Sequence, residues 1–165
     1  MGRPYDHVMQ PGECLVCRKH EAADPEIEVA RDALVHVGHH PAGVDTYRGH
    51  LFVEPLRHAP GLADLTDDEA AALGVAVTRA ARALRRAGAE HVYSCVVGHS
   101  VPHLHVHLLP RWPGTPPEHQ GLGVTSWPDA PRVDRAGVRH LVAALRKGYA
   151  SKPASKSSSQ ATSEG

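Results

Sequence analysis

Two periodicities divide this chain. Between Asp64 and Ala87, apolar residues return every three or four positions, at Leu73, Val77, Ala80, Leu84 and Ala87. That spacing predicts an amphipathic helix with one buried stripe. Thr66 followed by Glu69 has the form of a capping box, Asp67 and Asp68 suit the positive end of the helix, and Gly88 is placed to end it. Arg79, Arg82, Arg85 and Arg86 read as its solvated face. A second helix is expected after Asp134, which can cap it, with Val138, Leu141, Val142 and Leu145 on one face and Gly148 beyond its end. Elsewhere the period is two or the apolar runs are short. Ile27–Arg31 and Ala33–Val37, broken at Asp32, predict a hairpin; Leu51–Glu54, ending at Pro55, and His91–Val97 predict further strands. The sharpest alternation runs from Ser100 to Pro110. In a strand, His103, His105 and His107 share one face, and Leu104, Val106 and Leu108 take the other, with Pro110 as a stop. A helix would scatter the histidines around its circumference.

The elements add up to an α+β domain over residues 1–150, with about five mainly antiparallel strands and two main helices. Residues 1–13 carry Pro4, Pro11 and Gly12 and read as an irregular lead-in. Gly38–Gly43 reads as a loop, with His39 and His40 solvated. Residues 112–133 are rich in Pro and Gly and form a long connection, in which Trp112 and Trp127 can stack on a base, fill a subunit interface or pack on the core. Residues 151–165 have no apolar anchors and are expected to be disordered.

Composition narrows the function. Lys plus Arg equals Asp plus Glu at 18 each, so no polyanion groove is expected and nucleic acid is not the expected partner. No apolar run approaches a membrane span, and Met1–Cys17 lacks the regions of a signal peptide, so a soluble cytoplasmic protein is expected. Three cysteines do not suggest a disulfide framework, and Cys95 reads as a small core residue. Cys14-Leu15-Val16-Cys17 has two readings: redox chemistry, which wants a thioredoxin-like βαβ pattern absent here, or half of a zinc site, which needs two histidines to complete it. The three histidines on one strand face have three: a solvated strand, ligands of a metal, or catalysis by imidazole, whose pKa near 6.5 suits nucleophilic and acid–base work near neutrality.

Ser100-Val101-Pro102-His103-Leu104-His105-Val106-His107-Leu108-Leu109 resembles the signature of the histidine triad (HIT) family of nucleotide hydrolases and transferases. Upstream, Gly49-His50-Leu51-Phe52-Val53-Glu54-Pro55-Leu56-Arg57-His58 is similar to that family's Gly-His-x-apolar-Val-x-Pro-x-x-His segment. The resemblance covers most of residues 14–111 and implies a HIT-like fold that pairs into a homodimer with a continuous sheet.

It also implies a chemistry. His105 attacks the α-phosphorus of a nucleotide substrate, His107 and Ser100 serve the phosphate or leaving group, and His50 and His99 line the substrate site. His99 stands where most members have Gln, and Gly38 stands near where many have a ribose-contacting Asp. In members with the cysteine pair, zinc is held also by the positions of His58 and His103. A structural zinc on Cys14, Cys17, His58 and His103 follows, leaving His105 and His107 for chemistry. The leaving group is an amine in a phosphoramidate or a nucleotide in a dinucleoside polyphosphate, and phosphate in place of water makes a phosphorylase. Alternatives are a non-catalytic nucleotide-binding protein of the same fold and a zinc hydrolase using all three triad histidines as ligands, which the spacing of about 6.6 Å from His103 to His107 along a strand opposes. Arg57 reads as phosphate-facing or solvated.

Overall fold

The computed structural model describes residues 13–41, 46–98 and 101–151. Three helices and seven strands follow in the order α1 (Leu15–Ala22), β1 (Glu28–Arg31), β2 (Val35–His39), β3 (Thr46–Tyr47), β4 (Leu51–Pro55), α2 (Asp67–Arg86), β5 (His91–Cys95), β6 (Val106–Arg111), β7 (Arg132–Val133) and α3 (Arg135–Ala150). Five strands make one antiparallel sheet in the order β1-β2-β4-β6-β5, and β3 and β7 pair separately. The expected lead-in and the expected disordered tail fall, apart from Glu13 and Ser151, outside the described residues.

One face of the sheet is covered and the other carries the histidines. Leu51 and Val53 of β4 stand opposite Leu108 and Val106 of β6, and Val37 opposite Val53. These residues pack against Leu73, Ala76, Ala80 and Leu84 of α2 and Val138, Leu141, Val142 and Leu145 of α3 in one core. Thr66 caps α2 with the reciprocal Glu69 bond, and the Asp134 carboxylate accepts from the Gly137 amide to start α3. On the opposite face the same registers align Gly38, Phe52, His107 and Cys95 in one row across β2, β4, β6 and β5. The period-two alternation of the sequence thus separates core from site.

Several expectations are corrected. The helix begins at Asp67, after a 3₁₀ turn at Leu62–Asp64. Gly38 and His39 belong to β2, and His39 is fully buried, its Nδ1–H donating to the His40 carbonyl and its Nε2 accepting from the Gly49 amide. β5 ends at Cys95 and β6 begins at Val106, so His103 and His105 precede the regular strand. Pro110 lies inside β6, beyond the last β4 partner at Leu108, where a missing N–H is tolerated. Residues 112–133 are ordered by 3₁₀ turns at Pro117–His119 and Gly121–Thr125 and by β7. Trp112 is a core residue whose indole N–H donates to the Arg48 carbonyl, with the Arg48 guanidinium 4.2 Å above its ring. Trp127 packs against the core with its N–H on the Val124 carbonyl. Helix α1 was not expected from the pattern, because its apolar periodicity is weak.

Gly148 is a contact residue rather than a stop. α3 runs through it to Ala150, and a Cβ at Gly148 would sit 3.2 Å from Cα and 3.3 Å from Cβ of Ala83 on α2. A branched side chain there must push the helices apart. Gly148→Leu is expected to lower stability by about 1–3 kcal/mol, read from urea unfolding; an unchanged midpoint would show that α2 and α3 do not meet at this glycine.

Candidate functional site

Four imidazoles form a ladder over the open face of the sheet. Ring centroids are 5.0 Å apart between His40 and His50, 5.2 Å between His50 and His107, and 5.0 Å between His107 and His105. Phe52, in the middle of the row, presents its ring to His50, His105 and His107 at 4.9, 5.5 and 4.9 Å. His50 Nε2 lies 3.0 Å from His107 Nδ1, while His107 Nε2 is buried and, among the described residues, has no hydrogen-bond partner. Burial and then the neighbouring imidazoles push the His50 pKa down to about 3. His107 is held below its ordinary value by burial first and His105 next. The pair is neutral near pH 7, and one ring must donate to the other.

His105 is oriented by a backbone group. Its Nδ1 lies 2.7 Å from the His103 carbonyl oxygen. A carbonyl only accepts, so Nδ1 carries the proton, and in the neutral ring Nε2 keeps the lone pair. No sequence motif encodes a carbonyl, which is why this partner of His105 escaped the sequence.

His103 serves a different centre. Cys14 stands at the start of α1, Cys17 within it, His58 after β4 and His103 before β6. Their four donor atoms lie within 4.8 Å of one another. His103 Nδ1 is 3.5 Å from Cys14 Sγ and 3.4 Å from Cys17 Sγ, and His58 Nδ1 is 3.6 Å from Cys17 Sγ. Across an edge of a tetrahedron around zinc, a sulfur and a nitrogen stand about 3.6 Å apart, so the donor set can hold such an ion. His103 Nε2–H donates to the Pro55 carbonyl at 2.9 Å, which leaves the Nδ1 lone pair toward the sulfurs. Without a cation, burial and the hydrogen bond with Cys14 push the Cys17 thiol up to about 11. Among the described residues, His105 and His107 do not join a metal-binding cluster. Among the described residues the three triad histidines do not form one metal-binding cluster: Nδ1 of His103 faces the cysteine sulfurs, and Nδ1 of His105 a carbonyl.

A buried ion network beside this centre was not legible. Glu54, 1% exposed, accepts from Lys19 Nζ at 2.6 Å on both carboxylate oxygens and lies 3.1 Å from both His20 Nε2 and His36 Nδ1. Burial alone would raise the Glu54 carboxyl, but His20, His36 and the Lys19 ammonium outweigh it and hold it far below the usual carboxylate range. The one signal is a Glu directly after the apolar run Leu51–Val53, inside the same strand. The His36 ring also explains Gly38, because a Cβ there would lie 2.6 Å from His36 Cε1.

The other candidates divide. Arg57 is exposed, as the solvated reading expects, and also forms a forked pair with Glu69 at 2.8 and 2.7 Å and donates to the Asp64 carbonyl. Cys95 is half-buried, touching the core and also lining a cavity with His50 and His107. Ser100 and His99 lie outside the described residues. Two cavities open along the histidine ladder. One of about 390 Å³ is lined by Leu15, Val16, Lys19, Phe52, Val101 and His105. The other, of about 440 Å³, reaches from His50 and His107 to Arg132. His40 borders both. A larger one, about 620 Å³, lies by Cys17 and His58 and touches none of His50, His105 or His107.

An antiparallel sheet that presents histidines beside a Cys₂His₂ donor set defines a class, and comparison with known proteins agrees. Residues 43–114 match the model of the HIT domain. A 73-residue stretch, 40% of the chain, is 37% identical to an AP-4-A phosphorylase of Mycobacterium tuberculosis and covers 37% of that protein. A 72-residue stretch is 38% identical to the nitrilase and fragile histidine triad fusion protein of Caenorhabditis elegans, of which it covers 16%. The matched segment is thus well under half of the length of these curated relatives. A Zn-bound histidine triad family protein from Mycobacterium smegmatis shares the fold with a TM-score of 0.62, at 24% identity, over 84% of this chain and 96% of that one. A hypothetical histidine triad nucleotide-binding protein from Sulfolobus tokodaii does so with the same TM-score, 0.62, at 20% identity, over 82% and 91%. Residues 43–114 thus carry a HIT domain, and the chain resembles histidine triad family proteins in sequence over that stretch and in fold.

The depressed His50 pKa has a consequence for stability. In the unfolded chain His50 titrates near 6.5 and in the fold near 3. Below about pH 6.5 the unfolded chain binds the extra proton, so the His50 contribution is complete above that pH and is lost progressively toward pH 3. Urea midpoints are expected to fall between pH 7.5 and 5, and less steeply in His50→Gln. Equal slopes in both proteins would contradict a buried neutral His50.

Proposed function

We propose that this chain is a nucleotide hydrolase or nucleotidyl transferase that works through a covalent nucleotidyl-histidine on His105. The observation that carries the reading is the 2.7 Å contact between His105 Nδ1 and the His103 carbonyl, which leaves Nε2 as the nucleophilic nitrogen beside a cavity of about 390 Å³. The nucleoside occupies that cavity, between α1 and Phe52. Nε2 of His105 attacks the α-phosphorus, and the bond to the leaving group breaks with its electron pair going to that group. Water then attacks the same phosphorus and gives up a proton. The P–N bond to His105 breaks, releasing a nucleoside monophosphate. Splitting one substitution in two is the gain of covalent catalysis.

His107 steadies the charge. With His50 donating to Nδ1 of His107, the buried Nε2 of His107 carries a proton and, having no partner among the described residues, can offer it to a phosphate oxygen. His50 positions His107. Ser100 and His99 take the phosphate and substrate roles that their places in the motif imply. The substrates are nucleoside phosphoramidates or dinucleoside polyphosphates, and the stretch similar to an AP-4-A phosphorylase supports including the latter.

The Cys14, Cys17, His58 and His103 set holds a structural zinc in this reading. With four protein ligands it is closed and pins α1, one wall of the nucleoside cavity, to the loop before β6. The open edge of β5 and the exposed Val96 and Val97 beside it support the expected homodimer. Among the described residues no helix is long and apolar enough to cross a membrane.

Turnover of adenosine 5′-phosphoramidate and diadenosine tetraphosphate tests the reading. Wild type is expected to hydrolyse at least one, and folded His105→Asn to lose activity by about 10³-fold or more. Equal rates would remove His105 as nucleophile, and inactivity of the folded, zinc-loaded wild type on both would overturn the substrate assignment. Metal analysis is expected to find one zinc per chain in wild type and in His105→Asn, and little in Cys14→Ser; zinc lost from His105→Asn would contradict the division between His103 and His105.

A further inference from the structure

The buried network around Glu54 takes no part in the steps above, and its donor atoms are those of a metal centre. β2 and β4 place His36 directly opposite Glu54, and α1 brings His20 against both. Ligand atoms of His20, His36 and Glu54 all lie within 4.8 Å of one another. Nε2 of His20 and Nδ1 of His36 are each 3.1 Å from Oε2 of Glu54; two such donors on tetrahedral zinc stand about 3.4 Å apart. The other nitrogen of His36, Nε2, faces the Glu28 carboxylate at 3.5 Å. The ring therefore sits between two carboxylates, both of which only accept, and a neutral imidazole has one N–H. With that N–H toward Glu28, the Nδ1 lone pair is aimed at Glu54, an arrangement that a cation between them satisfies. A carboxylate behind the second nitrogen is the usual outer partner of a ligating histidine. Room for the ring comes from Gly38, where a Cβ would lie 2.6 Å from His36 Cε1. Lys19 Nζ lies 2.6 Å from both Glu54 oxygens, and its side chain is 20% exposed, so it can stay on Oε1 while Oε2 serves an ion.

We propose that His20, His36 and Glu54 form a second metal site, for a divalent ion of the zinc type, beside the Cys14, Cys17, His58 and His103 set and distinct from it. Two imidazoles and one carboxylate suit Zn²⁺ or Co²⁺. The site has no thiolate, and the Lys19 ammonium competes for its carboxylate. It therefore binds more weakly than the cysteine set, and the chain freed of loosely held metal keeps one zinc and takes the second ion when it is supplied. The cavity of about 620 Å³ by Cys17 and His58 also reaches His20, which gives the ion a way in. Once bound, the ion joins α1, β2 and β4 through its own ligands, and stability rises with the concentration of free zinc. The site stands independently of the nucleotidyl chemistry.

Calorimetric titration of zinc chloride into the full chain, already carrying one zinc, tests the site. Wild type is expected to take one further equivalent. His20→Gln and His36→Gln are expected to weaken that equivalent by about a hundredfold or more, and Glu28→Gln, which removes only the outer partner, by about tenfold. Lys19→Met removes the competing ammonium and is expected to tighten it several-fold. Glu28 and Lys19 are both partly exposed, so their variants keep the test decisive if a histidine variant fails to fold. Cobalt chloride in place of zinc is expected to give visible absorption without a thiolate charge-transfer band. No further equivalent in wild type would overturn the site and leave a second proton on His36 between its carboxylates. A further equivalent with unchanged affinity in the His20, His36 and Glu28 variants would place the ion elsewhere, on the histidine ladder or the surface. A thiolate band would place it on the cysteines. Either of these also overturns the site.

Discussion

His103 is the joint on which the site depends. Its Nδ1 faces the sulfurs of Cys14 and Cys17, its Nε2–H is spent on the Pro55 carbonyl, and its own carbonyl accepts the Nδ1 proton of His105. One residue therefore ties the metal-binding set, the end of β4 and the candidate nucleophile together. Because each of its polar groups has a distinct partner, the ring has a single orientation that satisfies all of them. The tautomer of His105 follows from that placement.

Around this joint, burial and charge are balanced by pairing. Glu54 is removed from water, yet it is surrounded by Lys19, His20 and His36, and the His20 ring stands edge-on to His103 at 5.5 Å. Removing one partner from such a buried group costs about 3–5 kcal/mol, so the network, through Lys19 and His20, ties α1 to the sheet at Glu54. Lys19 Nζ also lies 5.4 Å from the Phe52 centroid. Phe52 is thus held between this network and the histidine ladder, and the floor of the proposed nucleoside cavity is positioned by residues that never touch the reacting atoms.

Much of this was legible. The alternation from His103 to Leu108 told which face of β6 meets the core, and the Thr66–Glu69 box and the Asp134 cap placed two helices, because these features are local. The Cys14, Cys17, His58 and His103 donors were named through the family resemblance, and the fold brings them together. What the sequence hid depends on partners distant in the chain. Glu54 finds His20 34 residues before it and His36 18 residues before it. Gly148 reads as a helix stop until Ala83 is seen against it, and His39 reads as solvated until the Gly49 amide is seen on its ring. The His103 carbonyl could not be read at all, since every residue has one.

The central claim is a double displacement at phosphorus, and the stereochemical course tests it most directly. A substrate made chiral at the α-phosphorus with sulfur and an oxygen isotope would be hydrolysed and its product configuration read by phosphorus NMR. Two successive in-line displacements, first by His105 and then by water, predict net retention. Inversion would mean that water attacks the substrate directly, and His105 would not be a nucleophile.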